Sequence, residues 1–328
     1  MKNYNVLVIG GAGYIGSHMV KMLNRHGHQV TILDDLSTGH LDAVHAGMFI
    51  KGDYGDCRLL EGIFARPFDA VMLFAGFIQV SESVQQPGMY YQNNFCKVLA
   101  LLETMRVNGT KRLIFSSTAA TFGEPQYIPI DENHPQIPIN PYGRSKLMVE
   151  QLLADYDKAY GIKSICLRYF NAAGADPEGE LGERHNPETH LIPLVLQVAS
   201  GRRSHISIFG RDYDTPDGTC IRDYVHIQDL CSAHLLSLAS LLGGDGSQSF
   251  NLGNGNGFSV QEVINMAELV TGRKIPVRYE SRREGDPARL VANSQLIQDK
   301  LGWHPQLSDL KTIVEHAWYW ELQHFCAP

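Results

Sequence analysis

Through the first half of the chain, short and nearly continuous apolar runs alternate with longer segments of helical periodicity. Asn5–Ile9 is an apolar run closed by glycine, the pattern of a strand buried on both faces. Tyr14–Gly27 carries Ile15, Met19 and Leu23 at helical spacing and ends on Gly27, a residue suited to a helix C-terminus. Further strands are predicted over Val30–Leu33, Phe49–Lys51, Ala70–Phe74, Arg112–Ser117 and Lys163–Arg168. Long helices are predicted over Tyr91–Asn108 and over Pro141–Tyr160, the second stopped by Gly161. Such alternation predicts a parallel sheet with helices on both faces.

The alternation then breaks. Asn171–His190 is polar and rich in Gly, Pro and charge, and Gly210–Thr219 is another loop-forming stretch. Helices are predicted over Leu191–Ser200, Ile227–Leu242, Val260–Thr271 and Ser294–Leu301, and strands over Ile206–Phe209, Ser249–Leu252 and Ile275–Tyr279. The expected architecture is α/β: a doubly wound parallel sheet with a smaller, interleaved α+β substrate domain. Residues 1–170 plus 226–254 form the first domain, because Ile227–Leu252 can add one more helix and strand to the main sheet. Residues 171–225 plus 255–328 form the second.

Composition narrows the function classes. The 328 residues are 44% apolar and 19% charged, an ordinary globular balance with enough material for a full core. Lys+Arg 28 against Asp+Glu 35 gives a net charge of −7, which argues against a partner gripped by phosphate neutralisation along a nucleic-acid polymer. The six cysteines are scattered, with no C-x-x-C, and suit a reduced, cytoplasmic setting. No run approaches the roughly 18 apolar residues of a membrane span, so no membrane partner is expected. The fourteen histidines include His26-x-His28 in a loop but no H-E-x-x-H, and no metal is expected.

Glycine placement supplies the first chemical signal. Gly10-Gly11-Ala12-Gly13-Tyr14-Ile15-Gly16 follows a predicted strand and opens a predicted helix. Glycines at 10, 13 and 16 allow a tight turn, a close approach of backbone to a diphosphate, and helix packing on the sheet. The helix N-terminus adds free N–H donors and the positive end of its dipole. Asp34 stands 18 residues beyond Gly16 at the end of the second strand, with Asp35 beside it. An acid there accepts from ribose hydroxyls and repels a 2′-phosphate, which favours NAD over NADP on a Rossmann-like sheet. Asp53 follows the third strand, where it either holds the adenine edge or serves as an ordinary turn residue.

Tyr142-Gly143-Arg144-Ser145-Lys146 supplies the second signal. Positions i and i+4 share a helix face, so phenol and ammonium project together. A cation beside a phenol favours phenolate and is expected to lower the Tyr142 pKa towards neutrality. Upstream, Phe115-Ser116-Ser117-Thr118 brings hydroxyls to a strand end, at the sheet edge where ligands of such folds bind.

These motifs together resemble the extended short-chain dehydrogenase/reductase family. Arg168-Tyr169-Phe170-Asn171, His190-Leu191-Ile192-Pro193, Ile208-Phe209-Gly210, Asp217-Gly218-Thr219, Arg222-Asp223-Tyr224-Val225-His226, Arg282-Arg283-Glu284-Gly285-Asp286-Pro287 and Leu301-Gly302-Trp303 are similar to the UDP-glucose 4-epimerases within it. The likeness runs from about residue 5 to 320.

The resemblance implies NAD on Gly10, Gly13, Tyr14, Ile15, Gly16, Asp34, Asp35 and Asp53, with Phe74, Ala75, Gly76 and Asn94 along the cofactor. Tyr142 is implied as the acid/base. Lys146 is implied as its partner on the nicotinamide ribose, and Thr118 as the bridge to the sugar, a role Ser117 could share. Asn171, Arg222 and Arg283 are implied to grip the diphosphate. Phe209 lines the uracil site, Asp286 binds the uridine ribose, and His190 and Leu191 complete the substrate set. The implied activity is reversible inversion at C4 of a UDP-hexose through a 4-keto intermediate, in a homodimer paired through the two long helices.

Three readings compete. A sibling enzyme would act on a UDP-pentose or UDP-N-acetylhexosamine. A 4,6-dehydratase is disfavoured because Ala119-Ala120 stand where that family resembles an Asp-Glu pair. A non-catalytic dinucleotide sensor would have no use for Tyr142 and Lys146. Three departures stand out. Thr118 stands where the family most often has serine, keeping the hydroxyl and adding a methyl. Ile78 occupies a position where some members carry lysine, and Arg289 falls near the position that gates sugar size, which argues against N-acetylated sugars.

Overall fold

The computed structural model describes residues 3–283 and 285–325; Met1, Lys2, Glu284 and Cys326–Pro328 of the sequence reading lie outside them. The first half runs β1 (Asn5–Ile9), α1 (Tyr14–Arg25), β2 (Gln29–Asp34), β3 (Met48–Lys51), α2 (Cys57–Phe64) and β4 (Ala70–Leu73). It continues through α3 (Val80–Gln85), α4 (Pro87–Tyr91), α5 (Lys97–Val107), β5 (Arg112–Thr118), α6 (Pro141–Tyr160) and β6 (Lys163–Tyr169). The second half adds β7 (Asn171–Ala173), α7 (Leu191–Ala199), β8 (Ile206–Phe209), β9 (Ile221–Arg222), β10 (Tyr224–His226), α8 (Ile227–Gly243) and β11 (Gln248–Leu252). It closes with β12 (Phe258–Ser259), α9 (Val260–Thr271), β13 (Val277–Glu280), β14 (Arg289–Leu290), α10 (Gln295–Leu301) and α11 (Leu310–Phe325).

Among the described residues the main sheet has seven strands in the order β11-β6-β5-β4-β1-β2-β3, all parallel. Its alternating side chains feed two cores. Leu7, Ile9, Val71, Leu73, Leu113 and Phe115 pack against α2, α5 and α6, while Val6, Val8, Ile32, Met72, Ile114 and Leu167 pack against α1, α8 and α10. Burial on both faces is why these strands read as apolar runs rather than as alternation. The segment returning as α8 and β11 extends this sheet, as the sequence implies. A third core joins α7, α9 and α11 around Ile192, Val195, Val263 and Ile313.

Strand order reverses between β1 and β4, which opens a crevice at their carboxyl ends. There the two following turns touch: the N–H groups of Phe74 and Ala75 donate to Ile9 O at 2.8 and 3.1 Å. Gly10 has φ +84°, and a Cβ on it would stand 2.4 Å from Ala75 N. A Cβ on Gly16 would meet Gly10 O at 2.0 Å, so α1 lies as close to its turn as backbone permits.

Helix α6 begins sharply. Asn140 caps it by accepting from Gly143 N at 2.8 Å, Pro141 fills the first helical position, and Gly161 ends it at φ +67°. Tyr142 therefore sits in the first turn. Gly143 packs on the turn after β5, where a Cβ would lie 2.3 Å from Ala120 O.

One expected helix is not uniform. The segment predicted as Tyr91–Asn108 takes in only the last residue of α4, then a wide π-type turn over Gln92–Cys96, and α5. The wide turn carries Asn94, whose amide binds both Phe77 N–H and Phe77 O at 2.9 Å. A π-turn re-aims side chains that a regular helix would direct elsewhere. The sequence pattern does not mark α2, α3 or α11, nor α4 before Tyr91.

The tight contact at Gly143 has a measurable consequence. Gly143→Ala is expected to lower the unfolding free energy by about 1–3 kcal/mol in a urea titration, as forced overpacking does. A change under about 0.5 kcal/mol would show that α6 can move aside freely.

Candidate active site

A cavity of about 600 Å³ opens at the crevice, and a second of about 410 Å³ adjoins it. Asn171, Ala172, Glu183, Thr189, His190 and Arg222 line both, so the two form one cleft.

The glycine turn floors the larger cavity. Gly10, Gly13 and Gly16 line it with Tyr14 and Ile15. A Cβ on Gly13 would meet nothing nearer than Gly10 O at 3.5 Å, so the backbone here is open to a ligand. No side chain caps the start of α1, which leaves its first N–H groups without helical acceptors. The Tyr14 hydroxyl donates to Gly174 O at 2.7 Å and ties this turn to the second half of the chain.

Asp34 and Asp35 line the far end. Asp34 is nearly buried and already accepts from Ala12 N at 2.9 Å and Leu36 N at 2.8 Å. Burial raises its pKa, opposed by those two N–H groups. Each carboxylate oxygen keeps a second lone pair for a ribose hydroxyl. Asp53 and Asn94 are not among the lining residues. Asp53 binds Lys97 Nζ at 2.7 Å and Gly55 N at 2.8 Å. Burial pushes its pKa up, but Lys97 and the Gly55 N–H outweigh that and leave it lowered. Asn94 acts behind the wall by fixing Phe77, while Phe74, Ala75 and Gly76 line the cavity themselves.

Thr118, Tyr142 and Lys146 meet at the centre. Strand alternation sends the Ser117 hydroxyl to the other face, where it binds Glu150 Oε1 at 2.5 Å. Thr118 and Ser116 share the cavity face; the Ser116 hydroxyl is engaged by the Tyr169 hydroxyl, which leaves Thr118 as the one beside Tyr142. Lys146 is buried, donates to Ser116 O at 2.9 Å, and lies 4.9 Å from the centre of the Phe115 ring. Burial pulls its pKa down to about 8, against the attraction of Glu150 one turn on. Glu150 in turn pairs with buried Arg168 at 2.6 Å.

The electrostatics correct one expectation. Lys146 was expected to lower the Tyr142 pKa, yet that pKa is raised: burial disfavours phenolate, and the opposing influence is the Thr118 hydroxyl. The ammonium is spent on a carbonyl, and desolvation outweighs a cation so engaged.

The smaller cavity carries Leu191, Phe209, Arg283 and Asp286. The Arg283 guanidinium stacks on the Phe209 ring at 3.9 Å. Arg222 pairs with Asp286 and donates to Pro287 O at 2.9 Å. The Asn171 amide donates to Asp223 O at 3.0 Å. Arg289 is exposed and lines neither cavity; its neighbour Leu290 faces the larger one, with Ile78.

Glu183-x-His185-x-x-Glu188-x-His190 matches none of the histidine-based metal spacings. The fold gathers these four side chains at the junction of the cavities, with ligand-type atoms within 4.8 Å of one another. The spacing was visible; what hid it was its position in an irregular loop.

The profile of the NAD dependent epimerase/dehydratase family matches residues 6–253. UDP-glucose 4-epimerase of Halalkalibacterium halodurans is 52% identical over 320 residues, covering 97% of this chain and 96% of that one. A crystal structure of a UDP-glucose 4-epimerase superposes with TM-score 0.96 at 49% identity, covering 98% of each chain. That of UDP-glucose 4-epimerase from Brucella ovis in complex with NAD superposes with TM-score 0.94 at 48% identity, covering 96% of this chain and 97% of that one. Sequence and fold agree over nearly the whole length, and the chain belongs to the NAD dependent epimerase/dehydratase family.

Proposed function

We propose that the chain is an NAD-dependent isomerase that inverts C4 of a UDP-hexose, UDP-glucose to UDP-galactose and back. The observation that carries this reading is that Thr118, Tyr142 and Lys146 line the same cavity as the glycine turn, and that this cavity shares Asn171 and Arg222 with the one that bears Arg283. Its Brucella ovis relative holds NAD.

The residues present fit that cofactor. The open backbone at Gly13 and the uncapped start of α1 suit a diphosphate. Two carboxylates at the Asp34–Asp35 end suit ribose hydroxyls and would repel a 2′-phosphate. Bound there, NAD supplies a reversible hydride acceptor. As phenolate, the form that the positive ring of bound NAD would favour against burial, Tyr142 Oη removes the proton from the C4 hydroxyl and later returns it, and Thr118 Oγ1 holds the sugar oxygen beside it. Lys146 holds the nicotinamide ribose. Asn171, Arg222 and Arg283 take the substrate diphosphate, Phe209 the uracil and Asp286 the uridine ribose, with His190 and Leu191 at the wall. We assign Asp53 and Asn94 to support of the cofactor loops.

We read residues 1–170 plus 226–254 as the cofactor domain and the remainder as the UDP-sugar domain. No described helix is long and apolar enough to cross a membrane. We place the protein in the cytoplasm, as a homodimer joined through α5 and α6, where Leu99 and Val107 are exposed apolar side chains.

Turnover on UDP-glucose, UDP-N-acetylglucosamine and UDP-xylose tests the substrate. Conversion of UDP-glucose should dominate, and absence of any conversion by NAD-loaded protein would favour a sensor. Tyr142→Phe should cut turnover by about 10²–10⁴-fold while NAD and UDP remain bound. Near wild-type activity in that variant overturns the assignment. Because burial raises the Tyr142 pKa, protein stripped of nucleotide should show no Tyr142 phenolate between pH 7 and about pH 9 in a difference titration against Tyr142→Phe. A phenolate signal near pH 7 would contradict the electrostatics of the empty site. Sedimentation should give twice the 36.5 kDa chain mass, falling to one chain in Leu99→Glu.

A further inference from the structure

Glu183 and Glu188 are a costly pair to fold together. Each side chain is only 6% exposed, and they stand across a small space from each other. Two carboxylates buried together need compensating positive charge. Their neighbours are His185 and His190, both turning Nδ1 inward.

The spacing within the cluster is that of ligands around one ion. His185 Nδ1 lies 3.2 Å from Glu183 Oε1 and 3.5 Å from Glu188 Oε2. His190 Nδ1 lies 2.8 Å from Glu183 Oε1 and 3.0 Å from Glu188 Oε1. Donor atoms in a tetrahedral site with bonds of about 2.0–2.1 Å sit about 3.3 Å apart. A second observation points the same way: His185 Nδ1 is buried with no hydrogen-bond partner, although two carboxylate oxygens are near. Its polar neighbours are the two carboxylates, at distances that suit a shared ion better than a well-aligned hydrogen bond. The carboxylate of Glu188 is also pre-set by the chain, because its Oε1 accepts the N–H groups of Thr189 at 2.8 Å and His190 at 2.9 Å. Outer contacts of this kind hold metal ligands in place.

We propose that Glu183, His185, Glu188 and His190 bind a divalent transition metal of the zinc class. Two imidazoles and two carboxylates suit zinc or its neighbours, whereas magnesium and calcium prefer oxygen ligands throughout. Four protein ligands close a tetrahedral site, so the ion is structural rather than an acid for the reaction. It staples the loop that carries Asn186, Pro187 and Thr189, all of which line the larger cavity. The ion thereby sets the wall shared by the two cavities. This proposal does not depend on which sugar the enzyme takes.

Cobalt(II) is the probe, because tetrahedral cobalt absorbs in the visible. Chelator-treated holoenzyme titrated with CoCl₂ should develop that absorption and saturate at one equivalent, and its unfolding temperature should rise. Zinc should abolish the colour by displacement. His185→Ala and Glu188→Gln should each weaken cobalt binding at least about 10-fold. Circular dichroism checks that both variants are folded. Absence of the tetrahedral band in the wild-type protein overturns the proposal and leaves two histidinium–carboxylate pairs as the charge balance. Retention of full affinity in both folded variants overturns it equally.

Discussion

The close contact between the start of α6 and the turn after β5 is the constraint on which the site depends. At Gly143 the helix backbone lies so near Ala120 O that no side chain fits. That approach brings the first turn of a 20-residue helix over the end of β5, and it puts Tyr142 beside Thr118. One turn on, Lys146 reaches Ser116 O, and its ammonium stands 3.4 Å from where a Cβ on Gly76 would be. Three segments that are far apart in sequence thus share one point because two glycines remove the atoms that would hold them apart. The buried stripe of α6 then carries two charged residues, Lys146 and Glu150, each satisfied. Their partners on β5 and β6 fix the helix rotation more narrowly than apolar packing alone would.

Charge follows the same economy. The protein is acidic overall, yet its proposed ligands are anions, so each cation in the cleft is held by a local partner. Arg222 is paired with Asp286, and Arg283 rests on Phe209. A guanidinium has five donors in a fixed fork, so one carboxylate does not exhaust it. Binding a diphosphate then requires a shift of existing hydrogen bonds rather than the ordering of a free side chain. Lys146 differs. It is desolvated, and its pKa falls to about 8. An anionic or electron-rich neighbour would raise that pKa again, so the site is arranged for an occupied state.

Much of this was legible in the sequence because local rules and tertiary needs agree there. β1, the glycine turn and α1 follow one another with a signal at each step, and the limits of α6 are written by Asn140-Pro141 and Gly161. Legibility failed where a side chain far along the chain decides the geometry. The wide turn over Gln92–Cys96 exists to aim Asn94 at Phe77, and nothing near Asn94 in sequence says so. For Asp53 the sequence leaves a ligand contact and a turn role open, and Lys97, 44 positions on, is what occupies it in the fold. The same holds for the Tyr142 pKa: the i, i+4 rule gave the right face but could not weigh burial against an ammonium already bound to a carbonyl. Arg289 and Leu290 show the finest version, since a strand's period of two decides which of two neighbours faces the cavity.

The two ends of the cleft differ in a way that matters for inversion at one carbon. The smaller cavity, where a nucleotide would sit, carries Arg222, Arg283 and Asp286 as anchors. Around Thr118 and Tyr142 the wall is supplied largely by Ala119, Ala120, Phe170 and Leu290. A sugar ring there meets few fixed donors beyond the reacting pair. For an enzyme that must deliver hydrogen to either face of the same carbon, strong directional contacts to the ring would favour one face and slow the return. Binding energy placed on the nucleotide avoids that conflict, because it is the same for both orientations of the sugar. Anchoring arginines at the nucleotide end, with small and apolar residues beside the reacting pair, is therefore what a reversible reaction with two nearly equivalent products requires.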